Sequence, residues 1–271
     1  MGQPSNFLTD KEAKRLLVEI GRRVYQKGYV VTNDGNFSVR ISPNEIWVTP
    51  AGVSKGYMTE EMMVKMTLDG RITEGTHRPS SEVKMHLRVF QENPAVNAVL
   101  HAHPPLATAF AIAGVPLDQP IMVESIVQLG VVPIARYASP GSDDVPESIG
   151  PFCKEYACVL LSNHGALTWG VDLMQAFHRL EVLENYAKTT LTLLQLGKMR
   201  RLSSGQMEEI RAIKETLGIV GGGLPAGGSV PENLDDIVPR WYGEDDPHAY
   251  IRKVESLHCG DAEAHPLLSG L

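Results

Sequence analysis

The sequence predicts an α/β domain of three layers, with helices flanking a mixed or antiparallel sheet, and three observations carry that expectation. Short apolar or alternating runs (YVVT, FSVRIS, EIWVTP) interleave with helical periodicities along the first 217 residues. Two of those runs are separated only by the turn Ser42-Pro43-Asn44-Glu45, a connection that antiparallel strands accept and parallel strands cannot use. The third is scale: 271 residues, 43% hydrophobic and 21% charged, can bury a full core without disulfide or metal staples.

The elements follow in order. Thr9 and Glu12 stand at capping-box spacing, and Leu16, Leu17, Ile20 and Val24 recur at helical intervals until Gly28 offers a stop, so the domain opens on an amphipathic helix. Residues 29–50 then read as strands broken by Asn33-Asp34-Gly35-Asn36 and by the 42–45 turn. A helix beginning near Ser80 carries Val83, Leu87 and Phe90, and the apolar run 95–100 reads as a buried strand ending at His101-Ala102-His103-Pro104. Residues 106–113 make a short helix, 131–137 a strand, and 158–162 another strand ending in Asn163-His164-Gly165. Asp172 caps a long helix with Leu173, Ala176, Phe177, Leu180, Leu183, Ala187, Leu191 and Leu194 on one face. Ser203 and Gln206 open a last helix that runs to Leu217. Met58, Met62, Met63 and Met66 read as helical packing, Asp143-Asp144 as a solvated turn with a helix cap, and His86 and His178 as packing or surface residues within helices.

Residues 1–217 form the expected domain, and 218–271 a Gly/Pro-rich acidic extension. Six glycines fall within 218–228, and the extension holds nine acids against three bases, so most of the net charge of −7 resides there. The rest of the chain is nearly balanced, which suits a domain that admits an anion. Such a charge distribution disfavours a nucleic-acid surface, because phosphate-backbone affinity needs clustered Lys and Arg. No run of about 18 apolar residues is present to span a membrane, and the N-terminus lacks the basic start and apolar run of a signal peptide. Cys153, Cys158 and Cys259 are an odd, sparse set read as buried thiols of a reducing compartment, so a cytoplasmic location is expected.

The chemistry gathers at Glu82, His101, His103 and His164. Histidines at i and i+2 of a strand share a face, so His101 and His103 can reach one ion together, and His164 ends a second strand that could lie alongside. Three neutral imidazoles with an open position describe a catalytic zinc-type site; the alternative is a polar strand end and a turn histidine. Ser80 and Ser81 at a helix start are either a cap or, with unpaired N–H groups and the helix dipole, an anion seat. The turns around Gly35-Asn36 and around Ala51-Gly52 are rich in small residues and can present backbone N–H groups to phosphate, or serve as ordinary turns.

GNFSVR, TPAGVSKG, RPSSEVKMH, VNAVLHAHPP and LSNHGALTWG, in this order, resemble the class II aldolase/adducin family and its fuculose-phosphate aldolase branch most of all, over about residues 9–200. The resemblance implies a three-layer α/β/α fold with a central, largely antiparallel sheet, assembled as a homotetramer with active sites at subunit interfaces. It implies one divalent ion per subunit, Zn2+ or else Mn2+ or Co2+, on His101, His103 and His164, with Glu82 as catalytic acid/base. Asn36, Ala51, Gly52, Ser80 and Ser81 would then bind the phosphate of a phosphorylated sugar. The implied reaction is reversible retro-aldol cleavage of a ketose 1-phosphate, L-fuculose 1-phosphate first, to dihydroxyacetone phosphate and a small aldehyde such as lactaldehyde.

Three departures stand out. Ala51 replaces a hydroxyl residue, so Ser54, Lys55 or the backbone would supply that phosphate contact, Lys55 foremost unless it is a solvated loop lysine. The aldolase's proton-donating tyrosine has no counterpart in residues 120–128, where Glu124 is a candidate acid. The extension outruns the family's C-terminus, leaving Trp241 and Tyr242 as unaligned candidates to close a neighbouring site. Relatives on this scaffold also include a ribulose-phosphate 4-epimerase, decarboxylases, dehydratases, and non-catalytic adducin-like binding modules that lose the metal ligands.

Overall fold

A computed structural model describes residues 7–219 and Gly222. The expectations that rest on Trp241, Tyr242, Cys259 and nearly all of the acidic extension lie outside the described residues. The chain builds seven α-helices and eight strands among those residues: α1 (Asp10–Gln26), β1 (Asn36–Ser42), β2 (Glu45–Val48), β3 (Val64–Thr67), β4 (Ile72–Glu74), α2 (Val83–Glu92), β5 (Ala98–Ala102), α3 (Pro105–Ala113), α4 (Val123–Gln128), β6 (Ile134–Ala135), α5 (Asp144–Ile149), β7 (Cys158–Leu161), β8 (Gly165–Gly170), α6 (Leu173–Leu196) and α7 (Ser204–Thr216). The strands form one sheet in the order β4-β3-β2-β1-β5-β8-β7-β6. Every pairing is antiparallel except β6 with β7.

The middle of the sheet is buried on both faces, which is why β5 and β7 read as nearly continuous apolar runs. Ala98, Leu100 and Ala102 of β5 join one core with α1, α3 and α6, whereas Val99 joins the other with Met85, Val89 and Phe90 of α2 and Val145 and Ile149 of α5. Period-two alternation therefore puts His101 on the α2 side of the sheet. Helix ends follow their local chemistry: Thr9 with Glu12 and Ser203 with Gln206 form capping boxes, and the Asp172 side chain accepts from the Gln175 N–H.

Several expectations are corrected. Residues 29–32 are a turn with Thr32 at φ 47°, because the chain reverses there and the Tyr29 carbonyl accepts the His103 N–H instead of joining a strand ladder. Of 131–137 only Ile134–Ala135 pair as a strand. The strands β3, β4 and β8 were not foreseen; β8 is bounded by Gly165 and Gly170, and its glycines hid a strand held by two neighbours. The methionines pack, but not on a helix. Met58 and Met63 flank short 3-10 turns and Met66 lies in β3, all three buried. Helix α2 starts at Val83, after a turn over residues 81–82, and Asp143-Asp144 leads into α5, with no side-chain cap bond from Asp143. Cys153 and Cys158 are buried free thiols, pushed up to about 12 by burial. No helix among the described residues is long and apolar enough to cross a membrane.

Candidate metal and anion site

Antiparallel pairing of β5 with both β1 and β8 sets the site. Asn36 of β1 lies opposite His101 of β5, and β8 pairs with β5 from Ala98–Gly170 to Ala102–Ala166, which brings the turn before β8 to the same sheet end. His164 occupies that turn, just after Asn163, whose φ of 55° makes the reversal tight. Gly165 is required here: a Cβ on it would meet the His103 ring at 2.5 Å and the Ala102 carbonyl at 2.7 Å. Gly35 meets the same demand across the sheet, since its Cβ would lie 2.9 Å from the His101 carbonyl oxygen.

His101, His103 and His164 place one ring nitrogen each within 4.8 Å of one another. The ring of His101 is oriented by its Nδ1–H, which donates to the Ala166 carbonyl at 2.9 Å and leaves the Nε2 lone pair facing the cluster. His103 Nε2 lies 3.0 Å from His101 Nε2, and Glu82 approaches with Oε1 3.2 Å from His164 Nε2 and Oε2 3.6 Å from His101 Nε2. Lone pairs and a carboxylate converging at such distances repel unless a proton or a cation lies among them, and the nitrogen-rich donor set suits zinc or another borderline divalent ion. Burial first, then the neighbouring imidazoles, hold His101 and His103 below the usual histidine range, so both are neutral and able to ligate at neutral pH.

Glu82 is anchored from the other side by Asn36, whose amide donates to Oε2 at 2.9 Å and to the Ser80 hydroxyl at 3.3 Å. Burial alone would raise the Glu82 carboxyl, but the hydrogen bonds it accepts, first from His164 and then from the Asn36 amide, favour the ionised form and hold it well below the carboxylate range. The Glu82 carboxylate is thus ionised and held in place.

A cavity of about 340 Å3 opens beside the cluster and is lined by Asn36, Ala51, Gly52, Lys55, Ser80, Ser81, Glu82, His103 and His164, among others. Every residue expected from the metal and phosphate motifs meets there except His101, which is fully buried with its Nε2 3.6 Å from Glu82 Oε2. Donors are unevenly shared. The Ala51 N–H is already spent on the Arg78 carbonyl at 2.8 Å, so Ala51 contributes wall and no free donor; Gly52, at φ 71°, follows it in the turn. The Ser80 hydroxyl accepts from the Glu82 N–H at 3.3 Å, holding the turn that precedes α2.

Lys55 is not a solvated loop lysine. Only 1% exposed, its ammonium donates to the Asn33 and Val53 carbonyls at 3.0 and 2.7 Å, tying two cavity loops together, and burial pushes it down to about 8 against the favourable charges of Asp34 and Glu82. Glu124 lies exposed in the first turn of α4 and is not among the residues lining this cavity. His86 is a buried packing histidine, bonded through Nδ1 to Ser38 at 2.7 Å, while His178 is exposed. Asn33, Asp34 and Pro140 line the cavity without having been foreseen. Asp34 had a signal, since it directly precedes the Gly35-Asn36 motif, but a turn composition masked it.

Residues 15–191 match the family described as class II aldolase and adducin N-terminal domain. The chain is 32% identical over 208 residues to a 3-oxo-tetronate 4-phosphate decarboxylase of Haemophilus influenzae, covering 75% of this chain and 98% of that one. It is 35% identical over 174 residues to an L-fuculose phosphate aldolase of Methanococcus maripaludis, covering 63% and 92%. Among solved structures, an L-fuculose 1-phosphate aldolase superposes with a TM-score of 0.71 at 28% identity, over 79% of this chain and all of that one.

Proposed function

The chain belongs to the class II aldolase/adducin family, as an enzyme of that divalent-metal-dependent class, and from that premise we propose that it cleaves a carbon–carbon bond of a phosphorylated sugar to release dihydroxyacetone phosphate. The observation that carries this reading is the meeting of three clustered imidazoles and an anchored carboxylate with a lysine-backed, turn-built cavity at one end of the sheet. The leading substrate is a ketose 1-phosphate, L-fuculose 1-phosphate first, with lactaldehyde as the second product. His101, His103 and His164 would hold the ion, Zn2+ before Mn2+ or Co2+; when bound it supplies a Lewis acid that stabilises negative charge on the substrate carbonyl oxygen.

The chain's own residues do the rest. Ser80, Ser81 and the Gly52 turn seat the phosphate, and Lys55 supplies positive charge behind it. In the cleavage direction the C4 hydroxyl proton passes to a base, the C3–C4 bond breaks, and its electron pair is taken up by the C2 carbonyl. Glu82 serves the C3 proton: ionised, it removes that proton in synthesis, and in cleavage it first receives the proton given up by the C4 hydroxyl and then delivers it to C3. The Asn36 amide, which does not belong to the ligand set, anchors it beside that carbon. Active sites completed by a neighbouring subunit of a homotetramer are part of the same reading and leave room for Glu124 to act across an interface.

A second reading is favoured by the decarboxylase relative, matched along 98% of its length. A 3-oxo acid 4-phosphate of four carbons loses CO2 from C2, the electron pair again enters the adjacent carbonyl, and protonation leaves the same triose phosphate. That reaction has no aldehyde oxygen to protonate, so it needs no tyrosine in 120–128, where this chain has none.

The test is incubation of the protein with L-fuculose 1-phosphate, L-ribulose 5-phosphate and 3-oxo-tetronate 4-phosphate, with and without chelator, reading dihydroxyacetone phosphate, aldehyde and CO2. Dihydroxyacetone phosphate with aldehyde supports the aldolase, dihydroxyacetone phosphate with CO2 the decarboxylase; release that survives chelation overturns both. Glu82→Gln should lower kcat on the order of 10²–10⁴-fold while metal content stays at the wild-type level.

A further inference from the structure

Asp34 stands at the boundary between the imidazole cluster and the anion seat, and neither the motifs nor the reaction above uses it. Its Oδ2 lies 3.7 Å from His103 Nδ1, on the side of the ring opposite the Nε2 that faces His101 at 3.0 Å. The loop that carries it is held firmly: the Asp34 N–H donates to the Val31 carbonyl at 3.0 Å, the Lys55 ammonium binds the neighbouring Asn33 carbonyl, and Gly35 is wedged against the His101 backbone. The carboxylate is therefore aimed at one nitrogen of one ring by a rigid turn.

The three imidazoles are not oriented alike. His101 has a backbone carbonyl on its Nδ1–H, fixed by the β5–β8 ladder. His103 has passed the end of β5, its ring is partly exposed, and the acceptor facing its Nδ1 is Asp34. A ligating histidine delivers its lone pair reliably only when its other nitrogen is fixed as a donor, and a carboxylate acceptor also raises the basicity of the ligating nitrogen. We propose that Asp34 is a positioning residue that holds His103 as the Nδ1–H tautomer and strengthens its grip on a divalent ion. At 3.7 Å the pair is an ion-pair-range contact, longer than a hydrogen bond, and rotation of the partly exposed Asp34 side chain is the movement that would shorten it.

The proposal rests on the metal reading of the cluster, and its test separates the two. Wild-type protein, Asp34→Asn and Asp34→Ala are stripped of metal, and Zn2+ affinity is measured by competition with a chromogenic chelator; Co2+-loaded samples give visible spectra. Asp34→Ala should bind Zn2+ about 10- to 100-fold more weakly and shift the Co2+ bands, with the melting temperature of the metal-free protein unchanged. Asp34→Asn, which keeps an oxygen acceptor for Nδ1–H but loses the charge, should recover part of the loss and most of the wild-type spectrum. Wild-type affinity and spectrum in Asp34→Ala would overturn the role of Asp34 alone, whereas a wild-type protein that binds no Zn2+ would overturn the metal reading and this proposal with it.

Discussion

The imidazole end of the cavity hangs on the ends of central strands, whereas the anion end is stitched from turns. His101 lies in β5 between two hydrogen-bonded neighbours and is fully buried, its ring tied to the β8 backbone. Ala51, Gly52 and Lys55 sit in the turn after β2, and Ser80 and Ser81 in the turn before α2, joined by the Pro50–Pro79 bridge and by the carbonyls that Lys55 clamps. Metal ligation tolerates little displacement, and the three histidines that could hold an ion sit where the sheet is stiffest. An anion seat works by summing several donors, so it can be assembled from loops provided something pins them. Lys55 is that pin, and its burial shows that it serves structure and charge together.

Breaking the strand end should have the largest effect. His101→Ala removes a ligand from the stiff end, so bound metal and turnover should both fall to background, as read by elemental analysis and by product release. A variant that keeps its metal and activity would show that the cluster is a polar strand end.

Lys55→Met tests the turn-built end and should be gentler. Losing one charge-assisted hydrogen bond predicts a KM for the phosphorylated substrate raised roughly tenfold to a hundredfold, with a smaller change in kcat and metal retained. The same lysine sets a pH signature. Its native pKa of about 8 lies below the ordinary lysine value, so the unfolded chain binds the extra proton and wild-type stability relative to Lys55→Met should rise as pH increases from about 8 toward ~10.4. Phosphate affinity should fall across the same window as the ammonium loses its charge. A flat difference between the two proteins in chemical denaturation at pH 7.5 and 10 would mean that Lys55 is not the buried cation described.

Farthest from the reaction is the effect of the buried histidines on the stability of the metal-free protein. Burial pushes His86 down to about 3 and holds His101 and His103 low, so these rings stay neutral in the native state while the unfolded chain protonates near pH 6.5. Their stabilising contribution is complete above that pH and is lost as pH falls below it, by at most ~1.4 kcal/mol per unit for each ring. Thermal denaturation of chelated protein from pH 7.5 to 4.5 should show this slope, and His86→Asn should flatten it.

Much of the site was legible because its residues come in local patterns. The i, i+2 pair in His101-Ala102-His103 shares a face in any strand, and the run before it is apolar because β5 is covered on both sides. Lys55 was harder. Its short loop is rich in small residues, and nothing local distinguishes a lysine folded inward onto two carbonyls from one in water. Asp34 was missed for a related reason: an Asn-Asp-Gly sequence satisfies turn chemistry by itself, which leaves no unexplained residue to prompt a second role. The strand β8 escaped because Gly165, Ala166 and Gly170 are poor strand formers, and pairing on both sides recruits them.

By itself, then, the sequence determined the helix ends with their capping boxes, the apolar strands and the face shared by His101 and His103, all set by dihedral preferences and periodicities within a few residues. Only the tertiary structure decided that His164, 61 residues beyond His103, and Glu82, 46 residues beyond Asn36, meet at one sheet end. It also decided that Lys55 turns inward and that Asp34 faces His103. Those distances depend on the β1–β5–β8 register and on how the intervening loops close, a free energy contributed by the whole core and written in no single stretch of chain.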